Sequence, residues 1–189
     1  MFDYYYQDQI SATDAKFEAQ KIAFAPLSFH AAKALRDMGI LEAICSARKK
    51  GITVSELSQK LGISLYGVGV LIEMGLGMGA IKLHKDSKED DLKLTLGKIG
   101  FFLMSDEMTK VNMDFSEDIC YLGAEDMQEA IRDGKPAGLK HLGNWKTVYQ
   151  GLSQLTDQQK KSWFGFDHFY SDLAFPEALP IVFSNPCAR

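Results

Sequence analysis

Between Ile52 and Leu83 the chain reads ITVSELSQKLGISLYGVGVLIEMGLGMGAIKL, and the two helix starts within this run restrict the fold more than any other feature. Thr53 and Glu56 are spaced as a capping box, in which the hydroxyl accepts one orphan amide and the carboxylate another. Leu57 and Leu61 are the buried points of the short helix that follows. Leu61-Gly62-Ile63 forms a tight turn, and Ser64 caps a second helix from Leu65 to about Gly77. Two short helices joined by a glycine-containing turn make a helix-turn-helix. AIKLH then alternates weakly, KDSKEDD is a polar hairpin tip, and LKLT returns, which gives a two-stranded wing. The expectation is a mainly α chain with a winged helix-turn-helix over 27–102 and flanking helices.

The stretch EMGLGMG raises a second reading. It fits an acidic, glycine-rich turn of the kind that holds S-adenosylmethionine, and GLGMGA fits the looser dinucleotide pattern. Such turns need a strand before them and a helix after them, so that the helix N-terminus faces the ligand. Here the preceding segment opens with a capping serine, as a helix does, and a strand follows Gly79. EMGLGMG is therefore expected to be a helix C-terminus stopped by a left-handed Gly79. Gly67, Gly69, Gly75 and Gly77 each cost a helix roughly 0.5–1 kcal/mol relative to alanine. Close approach of another helix would compensate.

Helical spacing governs the remainder. Ala15, Ala19, Ile22 and Ala23 recur near a 3.6 period from Thr13 to Ala25, with Phe24 and Pro26 closing the segment. A helix is expected from Leu27 to Met38 with Ala31, Ala34, Leu35 and Met38 on one face, and another from Ile40 to Lys50. ARKK sets three cations at the end of that helix, and Gly51 stops it. Beyond Gly97 the pattern gives two or three helices, with a break near Gly123 and a turn at Asp133-Gly134-Lys135-Pro136. GLKHLGNWKTVYQGL is less regular and carries Trp145 and Tyr149 at i and i+4. Thr156 and Gln159 form another capping box, opening an aromatic helix. Pro176, Pro180 and Pro186 are expected to break up the tail. The expected division is an N-terminal arm and helix over 1–26, a winged-helix domain over 27–102 and a helical connector over 103–189.

The helix from Leu65 onward carries Val68, Val70, Leu71, Ile72, Met74, Leu76 and Met78 around nearly its whole circumference. A helix apolar on all sides belongs in a core or an interface. Leu65, Val68, Leu71, Ile72 and Met74 are the candidate dimer-interface residues. This helix also lacks the Lys, Arg, Asn and Gln that reach phosphates and base edges. The wing sets Lys85, Lys88 and Lys93 against Asp86, Glu89, Asp90 and Asp91. With a net charge of −4, the chain offers no footprint for nucleic acid or an anionic membrane surface. No apolar run approaches the roughly 20 residues of a membrane span, and the N-terminus has no signal-peptide pattern. Cys45, Cys120 and Cys187 are odd in number and far apart, which suits free thiols in a reducing cytosol.

The histidines, His30, His84, His141 and His168, do not stand at metal-ligand spacing with a Cys or carboxylate. His30 reads as structural, His84 as solvated on the wing, and His141 as a loop residue without an assignable role. The tyrosine run Tyr4-Tyr5-Tyr6 reads as a packing handle for the N-terminal arm. In SWFGFDHFYSD, His168 stands among Trp163, Phe166, Asp167, Phe169 and Tyr170. These could line a pocket for a planar substrate, with His168 orienting or deprotonating a hydroxyl. Alternatively the aromatic stripe is core, and Asp167 with His168 is a solvated face. Neither a nucleophilic triad nor a P-loop can be picked out.

As an ordered set, ALRDMGILEAI, ITVSELSQKLGI, VLIEMGLGMGAIKL, LKLTLGKIGFFL and KKSWFGFDHFYSDLAFPEALPIVF resemble the N-terminal part of class I S-adenosylmethionine-dependent O-methyltransferases. That region is a winged-helix dimerisation domain followed by a helical connector. The resemblance covers most of the chain from Lys33 to Val182, and its segments are weak singly. It implies a homodimer and a small-molecule methyl acceptor enclosed partly by the last connector helix. Phe166 and Tyr170 fall where such enzymes have a Phe and a pocket-facing Met, so the tyrosine is a departure. The resemblance also implies that S-adenosylmethionine and the catalytic base belong to a Rossmann-like domain expected to begin where this sequence stops. On its own the chain is then expected to bind no S-adenosylmethionine and to transfer no methyl group. The rival expectations are a DNA-binding regulator and a stand-alone dimerising or ligand-binding module.

Overall fold

A computed structural model describes residues 9–184. Tyr4, Tyr5 and Tyr6, with the first part of the expected arm, lie outside the described residues, as do Pro186 and Cys187. The chain forms two compact units, one ending at Met104 and the other beginning at Ser105.

The first unit opens with α1 (Ala12–Ala23), capped by the Ser11 side chain, which accepts from the Asp14 amide. It continues as α2 (Ala25–Asp37), α3 (Ile40–Ala47) and a 3₁₀ turn at Arg48–Lys50. α1 ends at Ala23 with Phe24 as its C-cap, ahead of Pro26 as expected, and Pro26 sits in the first turn of α2. A first-turn proline loses no hydrogen bond, because that amide has no helical partner in any case. Gly39 and Gly51 take left-handed conformations at the two breaks.

Next come β1 (Ile52–Thr53), α4 (Val54–Leu61), α5 (Leu65–Gly77), β2 (Ile81–Leu83), β3 (Lys93–Leu96) and α6 (Lys98–Ser105). The Thr53–Glu56 capping box is complete: Glu56 Oε2 accepts from the Thr53 amide at 2.8 Å, and Thr53 Oγ1 accepts from the Glu56 amide at 3.2 Å. Ser64 caps α5 through the Gly67 amide, and Gly62 supplies the left-handed turn between the two helices. The sheet is antiparallel in the order β1-β3-β2, pairing Ile52 with Leu94 and Ile81 with Leu96. The wing therefore has a third strand where two were expected. At two residues, β1 is too short to show an alternation.

Leu35, Ile40, Leu41, Ile44, Leu57, Val68, Ile72, Ile81 and Leu94 meet in one buried core. It joins α2 to α5, the first helices to the sheet, and thereby fixes the winged helix-turn-helix. His84 was read as solvated, and the structure corrects this. Its Nε2 donates to the Lys49 carbonyl at 3.0 Å and its Nδ1 accepts from the Asp86 amide at 3.1 Å, so the ring ties the wing to the turn after α3.

The second unit contains α7 (Glu107–Phe115), a π-helical turn (Ser116–Cys120), α8 (Tyr121–Ala124) and α9 (Met127–Asp133). Short 3₁₀ pieces follow, at Ala137–His141, Val148–Gln150 and Leu152–Gln154, and then α10 (Asp157–Ser171) and α11 (Phe175–Ser184). The tail does not break up as expected within the described residues, since Pro176 lies in the first turn of α11 and Pro180 inside it. Pro180 cannot donate to the carbonyl four residues earlier, and the helix continues past this single missing bond. α10 packs on α7 and on the π turn. His141, which the sequence left without a role, holds Asp126 jointly with Lys140, at 2.7 and 2.8 Å respectively.

Candidate dimerisation surface and aromatic helix

α5 divides its apolar residues between two environments. Val68 and Ile72 are fully buried in the core of this chain, so their side chains are used within the protomer. Leu71 and Met74 are half-buried, whereas Leu65, Tyr66 and Val70 are 56%, 83% and 41% exposed. Tyr66 and Val70 were absent from the sequence-derived interface set; adjacent to Leu65 and Leu71 in the helix, they extend its outward face. α1 has no buried residue at all, and it exposes Phe17 and Ile22. Large apolar side chains left in water forgo roughly 1.5–3 kcal/mol each relative to full burial. Exposed apolar side chains of this kind are candidates for an association surface.

The glycines of α5 have different neighbours. A Cβ on Gly75 would lie 2.6 Å from Ile81 Cδ1 and 3.2 Å from Leu35 Cδ1, so here the missing side chain admits α2 and β2. A Cβ on Gly69 or Gly77 would meet nothing within 4 Å. EMGLGMG is the C-terminal turn of α5, with Gly79 in the left-handed region at φ +73°. The Met78 and Gly79 amides donate to Met74 and Leu76 carbonyls. These amides are committed to the helix end, so the stretch does not fit the donor set of an S-adenosylmethionine loop.

A groove of about 230 Å³ between α4, α5 and the wing is lined in part by Glu73, Glu89, Asp90 and Asp91. Burial works against the charge on Asp91, but hydrogen bonds from Ser55, Thr53 and Val54 outweigh it and hold the carboxyl below its ordinary value. This acidic wall would repel phosphates.

In the second unit, α10 begins with its own capping box, Thr156 with Gln159. Phe166 stacks on Phe115 with ring centroids 4.2 Å apart, and Trp163 lies 5.7 Å from the same ring. Tyr149 turns its edge to Trp163, while Trp145 packs against the Gly143 and Gly151 backbones. Tyr170 Oη donates to Asn112 Oδ1 at 2.9 Å. Trp163, Phe166 and Tyr170 are thus brought together against α7. Asp167 and His168 lie on the exposed side of α10, where His168 Nδ1 pairs with Asp172 at 3.2 Å. Buried Ser162 donates to Asp118, which also accepts from Gln158. Among the described residues there is no grouping of three or more His, Cys, Asp or Glu able to hold a metal ion. No described helix is long and apolar enough to cross a membrane.

The stretch 16–88 matches the family model of the Dimerisation2-like domain. A search of curated proteins gives no match. Among solved structures, the S-adenosylmethionine-dependent methyltransferase SibL is similar at 20% identity and TM-score 0.65, over 82% of this chain and 44% of its own length. Human N-acetylserotonin methyltransferase aligns at 11% identity and TM-score 0.64, over 85% of this chain and 45% of that enzyme. The N,N-8-amino-8-demethyl-D-riboflavin dimethyltransferase RosA of Streptomyces davawensis aligns at 19% identity and TM-score 0.59, over 92% of this chain and 48% of that one. The chain therefore spans less than half the length of these structures. Its fold, a winged helix-turn-helix followed by a helical unit, is similar to that of the aligned parts of these structures.

Proposed function

We propose that this chain is the dimerising and acceptor-enclosing region of a cytoplasmic S-adenosylmethionine-dependent O-methyltransferase that works as a homodimer. The observation that carries the reading is the Dimerisation2-like match over 16–88, in a fold shared with methyltransferases. The exposed apolar faces of α1 and α5 supply a surface for a second copy, with Leu65, Leu71 and Met74 at its centre. Val68 and Ile72 support that surface from inside the protomer. The acidic wing and the lack of cations on α5 argue for a protein partner over nucleic acid. The free thiols of Cys45 and Cys120 suit a reducing compartment.

α10 is the acceptor-side element. Trp163, Phe166 and Tyr170 form an aromatic base, and Asp167 and His168 present polar groups to an incoming acceptor or a covering domain. The methyl donor and catalytic base would reside on a separate Rossmann-like domain, and the present chain would supply enclosure. Transfer from sulfonium to an acceptor oxygen would then gain chiefly from proximity and orientation.

Sedimentation equilibrium tests the reading. The wild-type chain should be dimeric, and Leu65→Glu, which alters an exposed side chain, should give a folded monomer. A wild-type chain that stays monomeric at high concentration refutes the dimer. Calorimetry with S-adenosylmethionine should give no heat of binding; clear binding would mean that the cofactor site has been misassigned.

A further inference from the structure

The second unit contains a cleft of about 450 Å³, open to solvent, between the π turn, α8, α9, the Ala137–His141 segment and α10. Four small residues, Gly123, Ala124, Ala130 and Gly138, line it where larger side chains would close it. Gly123 and Gly138 bring their backbones into contact, since a Cβ on either would press on the other's main chain. Phe115, Ile119, Leu139, Leu142 and Trp163 supply much of the remaining wall, and no charged residue takes part. The π turn contributes Ile119 and Cys120, and single π turns within α-helices frequently occur at functional sites. Burial pushes the Cys120 thiol up, which keeps it neutral.

These features select a class of occupant. The volume lies within the roughly 300–1,000 Å³ range of small-molecule sites. A wall without charge gives an ionised ligand nothing to offset its desolvation. Apolar cavities offer water few partners and accept ring compounds instead. We propose that this cleft is a binding site for an uncharged, ring-containing apolar small molecule, seated against Trp163 and Phe115 beside Cys120. The site lies within the second unit and shares Trp163 with the acceptor-side helix, but binding to this chain is tested whether or not the methyltransferase reading holds.

The probe is N-phenyl-1-naphthylamine, an uncharged aromatic amine that accepts excitation energy from tryptophan. It should bind the full chain saturably, one molecule per chain, with quenching of tryptophan emission. It should also slow N-ethylmaleimide labelling of Cys120 while leaving Cys45 unaffected, as read by peptide mass spectrometry. Ala124→Phe fills the cleft and should weaken probe binding by at least ~10-fold with the helical circular dichroism retained. If that variant does not fold, Ala130→Leu serves the same purpose. Equal probe affinity in the folded filled variant, absence of saturable binding, or unprotected Cys120 would overturn the proposal. So would a filled variant that changes its sedimentation while binding the probe as before, because the cleft would then be seating a second copy.

Discussion

Replacing Gly75 and Gly69 by alanine applies one chemical change at two positions of the same helix, and the structure assigns the two changes opposite signs. In either case alanine recovers about 0.5–1 kcal/mol of helix propensity. At Gly69 the new methyl meets nothing within 4 Å, so Gly69→Ala should stabilise the first unit by about that amount. At Gly75 the methyl would stand 2.6 Å from Ile81 Cδ1 and 3.0 Å from Ile81 Cγ1. Ile81 and Leu35 are both fully buried, so any shift that makes room must be taken up within the core. Overpacking of this kind costs about 1–3 kcal/mol, which exceeds the propensity gain, so Gly75→Ala should fall below Gly69→Ala by roughly 1–3 kcal/mol. Trp145 and Trp163 both lie in the second unit, so tryptophan emission would miss the event. Urea denaturation should be followed by hydrogen exchange in the peptides that contain Leu35 and Ile72, at one fixed protein concentration. Equal stability of the two variants, or a more stable Gly75→Ala, would refute the assignment of Gly75 as a packing glycine.

Thr53→Ala removes one half of the α4 capping box and should cost about 1 kcal/mol, seen as faster hydrogen exchange over Val54–Leu61. Ser162→Ala deletes a buried donor to Asp118, which keeps Gln158; the expected loss is about 1–2 kcal/mol, read by tryptophan emission during denaturation. The Asp126 carboxyl is held below its ordinary value by its hydrogen bond from Lys140 first, then by that from His141. Its contribution is therefore complete above the unfolded carboxylate value, about 3.9, and is lost as pH falls through the lower folded value. Asp126→Asn should remove that part of the acid sensitivity, and melting curves recorded from pH 6 down to about pH 2 would reveal it. Acid profiles that coincide for the two proteins would show that the clasp does not contribute.

The local features of the first unit were legible because each depends on neighbours three or four residues apart. Thr53 and Glu56, Ser64 and Gly67, and the left-handed Gly62 and Gly79 are set by backbone donors that the same short segment must satisfy. Pairings between distant residues left no such trace. β1 exists because Ile52 finds Leu94, and the His84 ring is anchored because the wing returns over Lys49. A proline misled at one place: Pro180 read as a stop, yet a helix held by its flanks tolerates a single absent amide.

The amino-acid order alone determined that α5 would be apolar all round and that EMGLGMG would end a helix. It could not determine which of those apolar residues the protomer would use for itself. Val68 and Ile72 went inward and Leu65, Tyr66 and Val70 stayed outward because α2 and the sheet cover one side of α5. On α10, likewise, the order set the aromatic density. The position of Phe115 then decided that Trp163 and Phe166 pack while Asp167 and His168 face solvent. Periodicity is a property of one helix, whereas burial is a property of whatever the fold brings against it.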